Sequence, residues 1–128
     1  MSALNSAIAE VLKDFPKVGS AWLFGSQAFG RSGPESDVDI GLLVTEKLTT
    51  DELLELQYRL MRATSNDKID LAMLNNASPV LRFEAISGSN VFCRDPERQA
   101  VFFSRTCRDY ERAQAMLKRG FQHRLSVS

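Results

Sequence analysis

The stretch that decides the fold runs from Phe24 to Asp39 and reads FGSQAFGRSGPESDVD. It joins an apolar run at 20–24 to a run at 37–44 that alternates acidic and apolar residues before it becomes apolar. The first run predicts a buried strand, and the second predicts a strand with a solvated start and a buried end. Gly25 therefore follows one strand, and two aspartates open the next.

Gly25 and Ser26 lie at the predicted strand end, where a backbone turn is able to receive a phosphate. Glycine allows a ligand to approach closely, the free N–H groups of a following helix favour negative charge, and the Ser26 hydroxyl adds a donor. Two glycines and a proline predict a helical turn and then a loop over 27–36. Most Gly-Ser turns bind no phosphate, so a phosphate-binding role for this pair needs evidence from other residues of the chain.

Asp37 and Asp39 are two residues apart on a predicted strand, so their side chains point to one face, about 6.6 Å apart along the backbone. Two carboxylates on one face repel each other, and a cation relieves that repulsion. Mg²⁺ prefers oxygen ligands and usually keeps water and substrate phosphates among them. The pair is a candidate Mg²⁺ site, and a solvated strand start is the simpler alternative.

Asp70 lies inside the otherwise apolar run 68–74, which predicts a third strand. A carboxylate in the middle of a strand is expensive to bury unless it is paired or binds a metal. If this strand pairs beside the one at 37–44, Asp70 joins the other two aspartates. Three carboxylates that face a phosphate-binding turn predict a cation site for a nucleoside triphosphate, and two Mg²⁺ ions there suit phosphoryl or nucleotidyl transfer.

The spacing of Gly25-Ser26, ten residues and then Asp37-x-Asp39 resembles the signature of the DNA polymerase β-like nucleotidyltransferases. The short chain is similar to the minimal nucleotidyltransferases of that superfamily. Residues 70–81 and 86–88 resemble the MntA-type antitoxins of HEPN–MNT toxin–antitoxin pairs. The resemblance covers about residues 20–95. It implies a small mixed sheet with helices packed on one side of it. The predicted order of helices and strands indicates an α/β (α+β) fold, and the pattern after residue 95 adds a long C-terminal helix.

The resemblance also implies roles for the site residues. Asp37 and Asp39 would bind two Mg²⁺ ions, and Asp70 would bind one of them and act as the general base or beside it. Gly25 and Ser26 would hold the triphosphate of ATP.

One residue departs from the family pattern. Phe29 stands where many relatives carry an arginine, and Arg31 is the candidate to supply that charge to the triphosphate.

The reaction that the resemblance implies moves AMP from ATP to a hydroxyl group and releases pyrophosphate. In the antitoxin members the hydroxyl belongs to a tyrosine of the partner HEPN RNase, which the modification silences within a hetero-oligomer. Two alternatives stay open at this point. A small-molecule nucleotidyltransferase, such as an aminoglycoside-modifying one, usually carries an extra helical domain, for which 128 residues leave little room. A non-catalytic antitoxin would bind its partner and use the carboxylates only for a structural cation.

The rest of the chain predicts a single domain over 1–128, with a core at about 18–95. Thr49 and Glu52 form a predicted capping box. Leu54 is assigned to the core face of the helix behind that box. The predicted helices are 4–15, about 50–62, 79–87 and 96–119, with a fourth strand at 90–94 and Gly120 as the stop of the last helix. The predicted face of that helix is Phe103, Cys107, Tyr110, Gln114, Leu117 and Phe121.

Composition limits the class of protein. The 16 basic and 16 acidic side chains cancel, which argues against a strongly basic protein and predicts no direct nucleic-acid binding. The longest uncharged apolar run is far too short for a membrane helix, a signal peptide is not visible, and two cysteines fit a reducing cytoplasm.

The charge is distributed unevenly along the chain. Residues 1–94 carry a net charge of −3 and residues 95–128 a net charge of +3. The basic segment is either a solvated helix face or a docking surface for an acidic partner or a polyphosphate.

Overall fold

A four-stranded mixed sheet forms the centre of the fold. The computed structural model describes residues 3–25 and 37–127, with side chains described as far as residue 120. The elements are α1 (Ala3–Leu12), β1 (Val18–Phe24), β2 (Val38–Val44), α2 (Thr50–Thr64), β3 (Ile69–Met73), α3 (Pro79–Ile86), β4 (Ser89–Cys93) and α4 (Pro96–Val127). The predicted helical turn within 27–36 lies outside the described residues.

The strands lie side by side in the order β3-β2-β1-β4. β1 runs antiparallel to both β2 and β4, whereas β2 and β3 are parallel. The parallel pairing places the strand at 69–73 directly beside the strand at 38–44, so the pairing that the hypothesis about Asp70 assumed is confirmed. The end of β1 and the starts of β2 and β3 therefore share one edge of the sheet.

Helices cover both faces of the sheet, so the expectation of helices on one side was wrong. One core contains Ala21 and Leu23 of β1 with α1 and α2, and the other contains Trp22 and Phe24 with α3. All seven residues of β1 are buried. Apolar side chains of this strand point alternately to the two faces of the sheet. Each face therefore needs a layer of helices that removes it from water.

The predicted helix starts are confirmed. Thr49 caps α2: its hydroxyl accepts the N–H of Glu52 at 3.1 Å, and the Glu52 carboxylate accepts the N–H of Thr49 at 2.8 Å. Ser78 caps α3 and accepts the N–H of Leu81 at 3.2 Å. Each cap satisfies N–H groups that have no partner within their helix.

The predicted end of the last helix was wrong, because α4 continues through Gly120 to Val127. A glycine inside a helix costs only about 1 kcal/mol, and it ends a helix where the chain must turn. Within the described structure, nothing lies within 4 Å of the position that a Cβ of Gly120 would take. No neighbouring element makes the chain turn there, and the helix hydrogen bonds continue.

Two predicted apolar faces also need correction. Leu54, assigned to the core side of α2, is 61% exposed, whereas Leu56 and Leu60 are buried. On α4, the predicted residues Cys107 and Tyr110 do pack, against the Trp22 core and on Phe83, but Phe103 and Leu117 are exposed. Phe102 packs against the Trp22 core instead, and Thr106 is buried. Adjacent apolar residues such as Phe102 and Phe103 fit either of two helix phases, and packing against Trp22 selects one of them. None of the described helices is long and apolar enough to cross a membrane.

Candidate active site

Three strands bring the predicted carboxylates to one edge of the sheet. Asp39 of β2 is in register with Phe24 of β1 on one side and with Asp70 of β3 on the other. Asp37 directly precedes β2, and Gly25 directly follows β1. The backbone N–H of Val38 donates to the carbonyl of Lys68 at 2.8 Å, which fixes the parallel register at the point where the site begins. Sheet hydrogen bonding thus positions Asp39 and Asp70 as direct neighbours.

Gly25 packs against the carboxylate of Asp39. Its φ is +74°, a left-handed conformation that side chains with a Cβ rarely adopt. A Cβ at this position would collide with Oδ2 of Asp39. The backbone angle therefore favours glycine here, and a Cβ would make the Asp39 carboxylate shift. The predicted phosphate-binding turn thus begins in contact with the predicted metal ligand.

The electrostatics of the edge centre on Asp39. Asp39 is half-buried, while Asp37 and Asp70 are exposed. Burial raises the pKa of Asp39 above its ordinary value, and the negative charges of Asp70, Asp37 and Glu84 raise it further. The raised pKa of Asp39 thus has two causes, burial first and the neighbouring negative charges second. A divalent cation bound there would relieve this repulsion.

The donor set of the three aspartates fits Mg²⁺ in chemical type, since every donor is a carboxylate oxygen. Within residues 3–25 and 37–120, however, no three side chains of the metal-ligating types already stand together as a metal site. Asp37 and Asp70 are exposed, so their side chains are able to turn toward a cation at the cost of a rotamer change. The backbone is arranged for such a site, and the carboxylate oxygens would complete it on binding.

Glu84 on α3 is a fourth carboxylate at this edge, which the sequence patterns did not indicate. It is exposed, and it is close enough to Asp39 to raise the pKa of that carboxyl. α3 reaches this edge because Gly88 allows close packing: a Cβ there would collide with the carbonyl oxygen of Leu23 and stand 3.0 Å from Phe24. An exposed glutamate in a helix carries no sequence signal that separates it from other surface glutamates.

Ser26 and Arg31, the other two residues predicted to hold the triphosphate, lie outside the described residues, as does Phe29. Their predicted roles stay predictions. Of the predicted site residues, the structure therefore brings together Gly25, Asp37, Asp39 and Asp70.

Comparison with known proteins matches residues 6–97 to the family "Polymerase beta, Nucleotidyltransferase". The protein adenylyltransferase MntA of Shewanella oneidensis is 31% identical over 117 residues, which cover 90% of this chain and 84% of that protein. A crystal structure of a toxin–antitoxin with AMP-PNP contains a chain 26% identical to this one. It superimposes with a TM-score of 0.76 over 94% of this chain and 98% of that one.

A crystal structure of the toxin–antitoxin MntA–HepT contains a further similar chain. It is 25% identical, with a TM-score of 0.70 over 95% of this chain and 97% of that chain. The resemblance inferred from the glycine-serine and aspartate motifs is confirmed at the level of family and fold. The chain belongs to the polymerase β nucleotidyltransferase family and is a relative of the protein adenylyltransferase MntA.

Proposed function

We propose that this chain is a Mg²⁺-dependent adenylyltransferase that moves AMP from ATP to a tyrosine hydroxyl of a HEPN-domain toxin, and that it acts as the antitoxin of that toxin. The observation that carries the proposal is the register of Asp39 with Asp70, with Gly25 packed against Asp39 at the same edge of the sheet. Nucleotidyl transfer needs carboxylates and a phosphate-binding turn at one place, and this chain belongs to a family of nucleotidyltransferases.

The nucleotide in this proposal is ATP. The relative from Shewanella oneidensis is a protein adenylyltransferase, and a similar toxin–antitoxin structure contains AMP-PNP, an analogue of ATP. Gly25 and Ser26 would hold the triphosphate through backbone N–H groups, because a glycine has no side chain to keep a phosphate away from the backbone. Arg31 would add a positive charge to the same group.

Asp37, Asp39 and Asp70 would hold two Mg²⁺ ions. When bound, such ions neutralise the phosphate charge and stabilise both the attacking and the leaving oxygen of an in-line displacement. Asp70 is the exposed member of the pair in register, so it is placed to face an acceptor that approaches from solvent. In the proposed step Asp70 accepts the proton of the acceptor hydroxyl, whose oxygen bonds to the α-phosphorus while pyrophosphate leaves.

The acceptor is proposed to be a protein, because the described part of the chain forms one sheet with four helices and has no second domain to enclose a small acceptor. Both similar structures are toxin–antitoxin complexes. A hetero-oligomer would bring the tyrosine of the toxin to the carboxylate edge. A reaction that consumes ATP to silence an RNase suits the cytoplasm, which is where we place the pair.

The test is transfer of AMP from ATP labelled at the α-phosphate, in Mg²⁺, to the product of the neighbouring gene as the candidate HEPN partner, followed by intact-mass analysis. Wild type should add AMP to the partner, and the double variant Asp37→Asn, Asp39→Asn should not. Asp51→Asn is the matched control, because it also removes an exposed carboxylate, at the start of α2. It should retain the activity.

Two results would contradict the proposal. Pyrophosphate release with a small acceptor and an unmodified HEPN protein would identify a small-molecule nucleotidyltransferase. A stable complex formed equally by wild type and the double variant, without any transfer, would identify an antitoxin that works by binding alone.

A further inference from the structure

The last helix extends beyond the sheet on which it packs. α4 has 32 residues, a length of about 48 Å, whereas the seven residues of β1 span about 23 Å. Arg94, just before α4, donates its backbone N–H to Gly19 near the start of β1 at 2.7 Å, and the ring of Phe102 lies 5.7 Å from that of Trp22 further along β1. α4 therefore advances in the direction of β1, toward the edge where Gly25 and the aspartates lie.

The contacts that hold α4 are confined to its first half. Beyond Phe102, Asp109 pairs with Arg82 at 3.2 Å, and the ring of Tyr110 stacks on that of Phe83 at 3.9 Å. From residue 111 to residue 120 every side chain is exposed except the partly buried Ala113. The second half of the helix is thus a projecting arm without packing partners among the described residues.

One face of this helix carries a row of arginines, which we call the arginine stripe: Arg98, Arg105, Arg108, Arg112 and Arg119. Four of them follow one another at intervals of seven residues, which is close to two helical turns. All five are exposed, and within the described residues none of their guanidinium groups forms an ion pair. Arginines spaced this closely repel one another, and an acidic partner would relieve that repulsion.

Apolar side chains border the stripe. Val101 is 59% exposed and Met116 is 66% exposed, and both fall on the same side of the helix as the arginines. Exposed apolar atoms among arginines are typical of protein interfaces, in which arginine and methionine are enriched.

A nucleic acid and a second copy of this chain fit the stripe less well. A strand of nucleic acid is usually held by a protein of net positive charge with aromatic rings for the bases, but this chain has zero net charge and the stripe holds no aromatic residue. Two copies that met face to face through the stripe would place like charges together.

We propose that the arginine stripe of α4 docks an acidic face of the HEPN-domain partner and so delivers the acceptor hydroxyl to the carboxylate edge. This inference rests on the proposed function, and it assigns the surface by which the protein acceptor is recognised. Because the arm advances toward the edge that holds Asp39 and Asp70, a partner bound along it reaches the site without a further domain in this chain.

The test compares the binding of full-length wild type and two variants to the purified HEPN partner by calorimetry at low and high salt. The double variant Arg105→Glu, Arg112→Glu should bind about tenfold or more weakly at low salt, and added salt should weaken the wild-type complex. The control Lys13→Glu, Lys47→Glu changes the net charge equally at two exposed lysines outside α4, and it should bind like wild type. A second variant, Arg105→Lys, Arg112→Lys, keeps the charge and should recover most of the affinity.

AMP transfer measured on the same proteins separates this inference from the proposed function. The stripe variant should show a raised KM for the partner with a kcat close to that of wild type, because the carboxylates are untouched. If wild type binds through the stripe but transfers no AMP, the docking surface stands and the proposed function fails. If wild type transfers AMP and the stripe variant binds as tightly as wild type, the docking surface is overturned. Binding of labelled polyuridylate that depends on the stripe, with partner binding unchanged, would also overturn it, as would a wild-type homodimer that the stripe variant abolishes.

Discussion

Two half-exposed carboxylates, which lie at opposite edges of the sheet, have pKa values shifted in opposite directions. Glu52, near the end of β2, accepts hydrogen bonds from Lys17 at 2.7 Å and from the backbone of Thr49, and these hold the pKa of its carboxyl below the ordinary value. At the start of β2, burial and the charges of Asp70 and Asp37 raise the pKa of Asp39. One carboxylate is stabilised by local donors, and the other is left to repel its neighbours.

The same contrast extends to the rest of the two edges. At the edge with Glu52, the side chain of Asn75 accepts the backbone N–H of Val44 at 2.9 Å and donates to its carbonyl at 2.8 Å, and Arg94 donates to the carbonyl of Val18 at 3.2 Å. At the edge with Asp39, none of the described residues places a cationic side chain in an ion pair with the aspartates. The comparison teaches that polar groups which stabilise the fold have partners within the chain, whereas the aspartates of the candidate active site form no ion pair among the described residues.

The largest effect is expected for Asp70→Asn. The substitution removes a proposed Mg²⁺ ligand and the proposed acceptor of the hydroxyl proton, so the single-turnover rate of AMP transfer should fall by about a hundredfold or more. The folded state should be retained or stabilised, because repulsion with Asp39 is relieved. Rates from quenched mixtures and thermal melts check both parts. If Asp70→Asn transfers AMP at the wild-type rate, the contrast between the carboxylate edge and the opposite edge is contradicted.

Gly25→Ala should affect both folding and function. A Cβ would collide with Asp39 and force alanine into a left-handed conformation, so we expect a loss of about 1–3 kcal/mol of stability and a clear loss of transfer. Urea unfolding and the transfer assay measure the two effects. Gly120→Ala is the matched control, since open space surrounds that glycine in the described structure, and it should add about 1 kcal/mol of helix stability. Equal effects of the two substitutions would contradict the packing of Gly25 against the site.

Asn75→Ala should affect stability alone. It removes two hydrogen bonds to Val44 at the edge opposite the aspartates, which costs about 1–2 kcal/mol. The midpoint of urea unfolding should fall, while the rate of AMP transfer at a temperature well below the transition should stay at the wild-type value. A large loss of transfer in a folded Asn75→Ala protein would show that the two edges are not separate in function.

The smallest effect concerns the pH dependence of stability in metal-free buffer. Since the pKa of Asp39 is raised on folding, its contribution favours the fold at acidic pH and is lost as the pH rises through the raised pKa. Since the pKa of Glu52 is lowered, its contribution is present above the ordinary glutamate pKa and is lost as the pH falls through the lowered one. Asp39→Asn should remove the first slope and Glu52→Gln the second. The midpoints of urea unfolding, measured from pH 3 to pH 8, would show both slopes. Identical profiles for the two variants would contradict the assignment of one slope to each carboxylate.

Much of this fold follows from local sequence signals. The strand pattern at 37–44, the aspartate inside 68–74 and the Thr49 capping box each depend on neighbours in the chain, and the structure confirms the strands, the cap and the pairing of Asp39 with Asp70. The sequence therefore predicted where the carboxylates meet. It also carried the family resemblance, which the comparisons confirm.

What the sequence could not predict depends on tertiary packing. The phase of α4 is chosen by the contact of Phe102 with Trp22, and the continuation of α4 past Gly120 depends on the absence of a neighbour there among the described residues. The arrival of Glu84 beside Asp39 depends on how closely Gly88 lets α3 approach β1. Each of these depends on how segments far apart in the chain are arranged, and no short sequence motif indicates that arrangement.

The most direct measurement is a side-by-side AMP transfer to the HEPN partner by wild type, Asp39→Asn and Asn75→Ala, read as the intact mass of the partner. Wild type and Asn75→Ala are predicted to add AMP to the partner at similar rates, and Asp39→Asn is predicted to leave its mass unchanged. Addition of AMP by Asp39→Asn at the wild-type rate would contradict the claim that the carboxylate edge is where the transfer takes place.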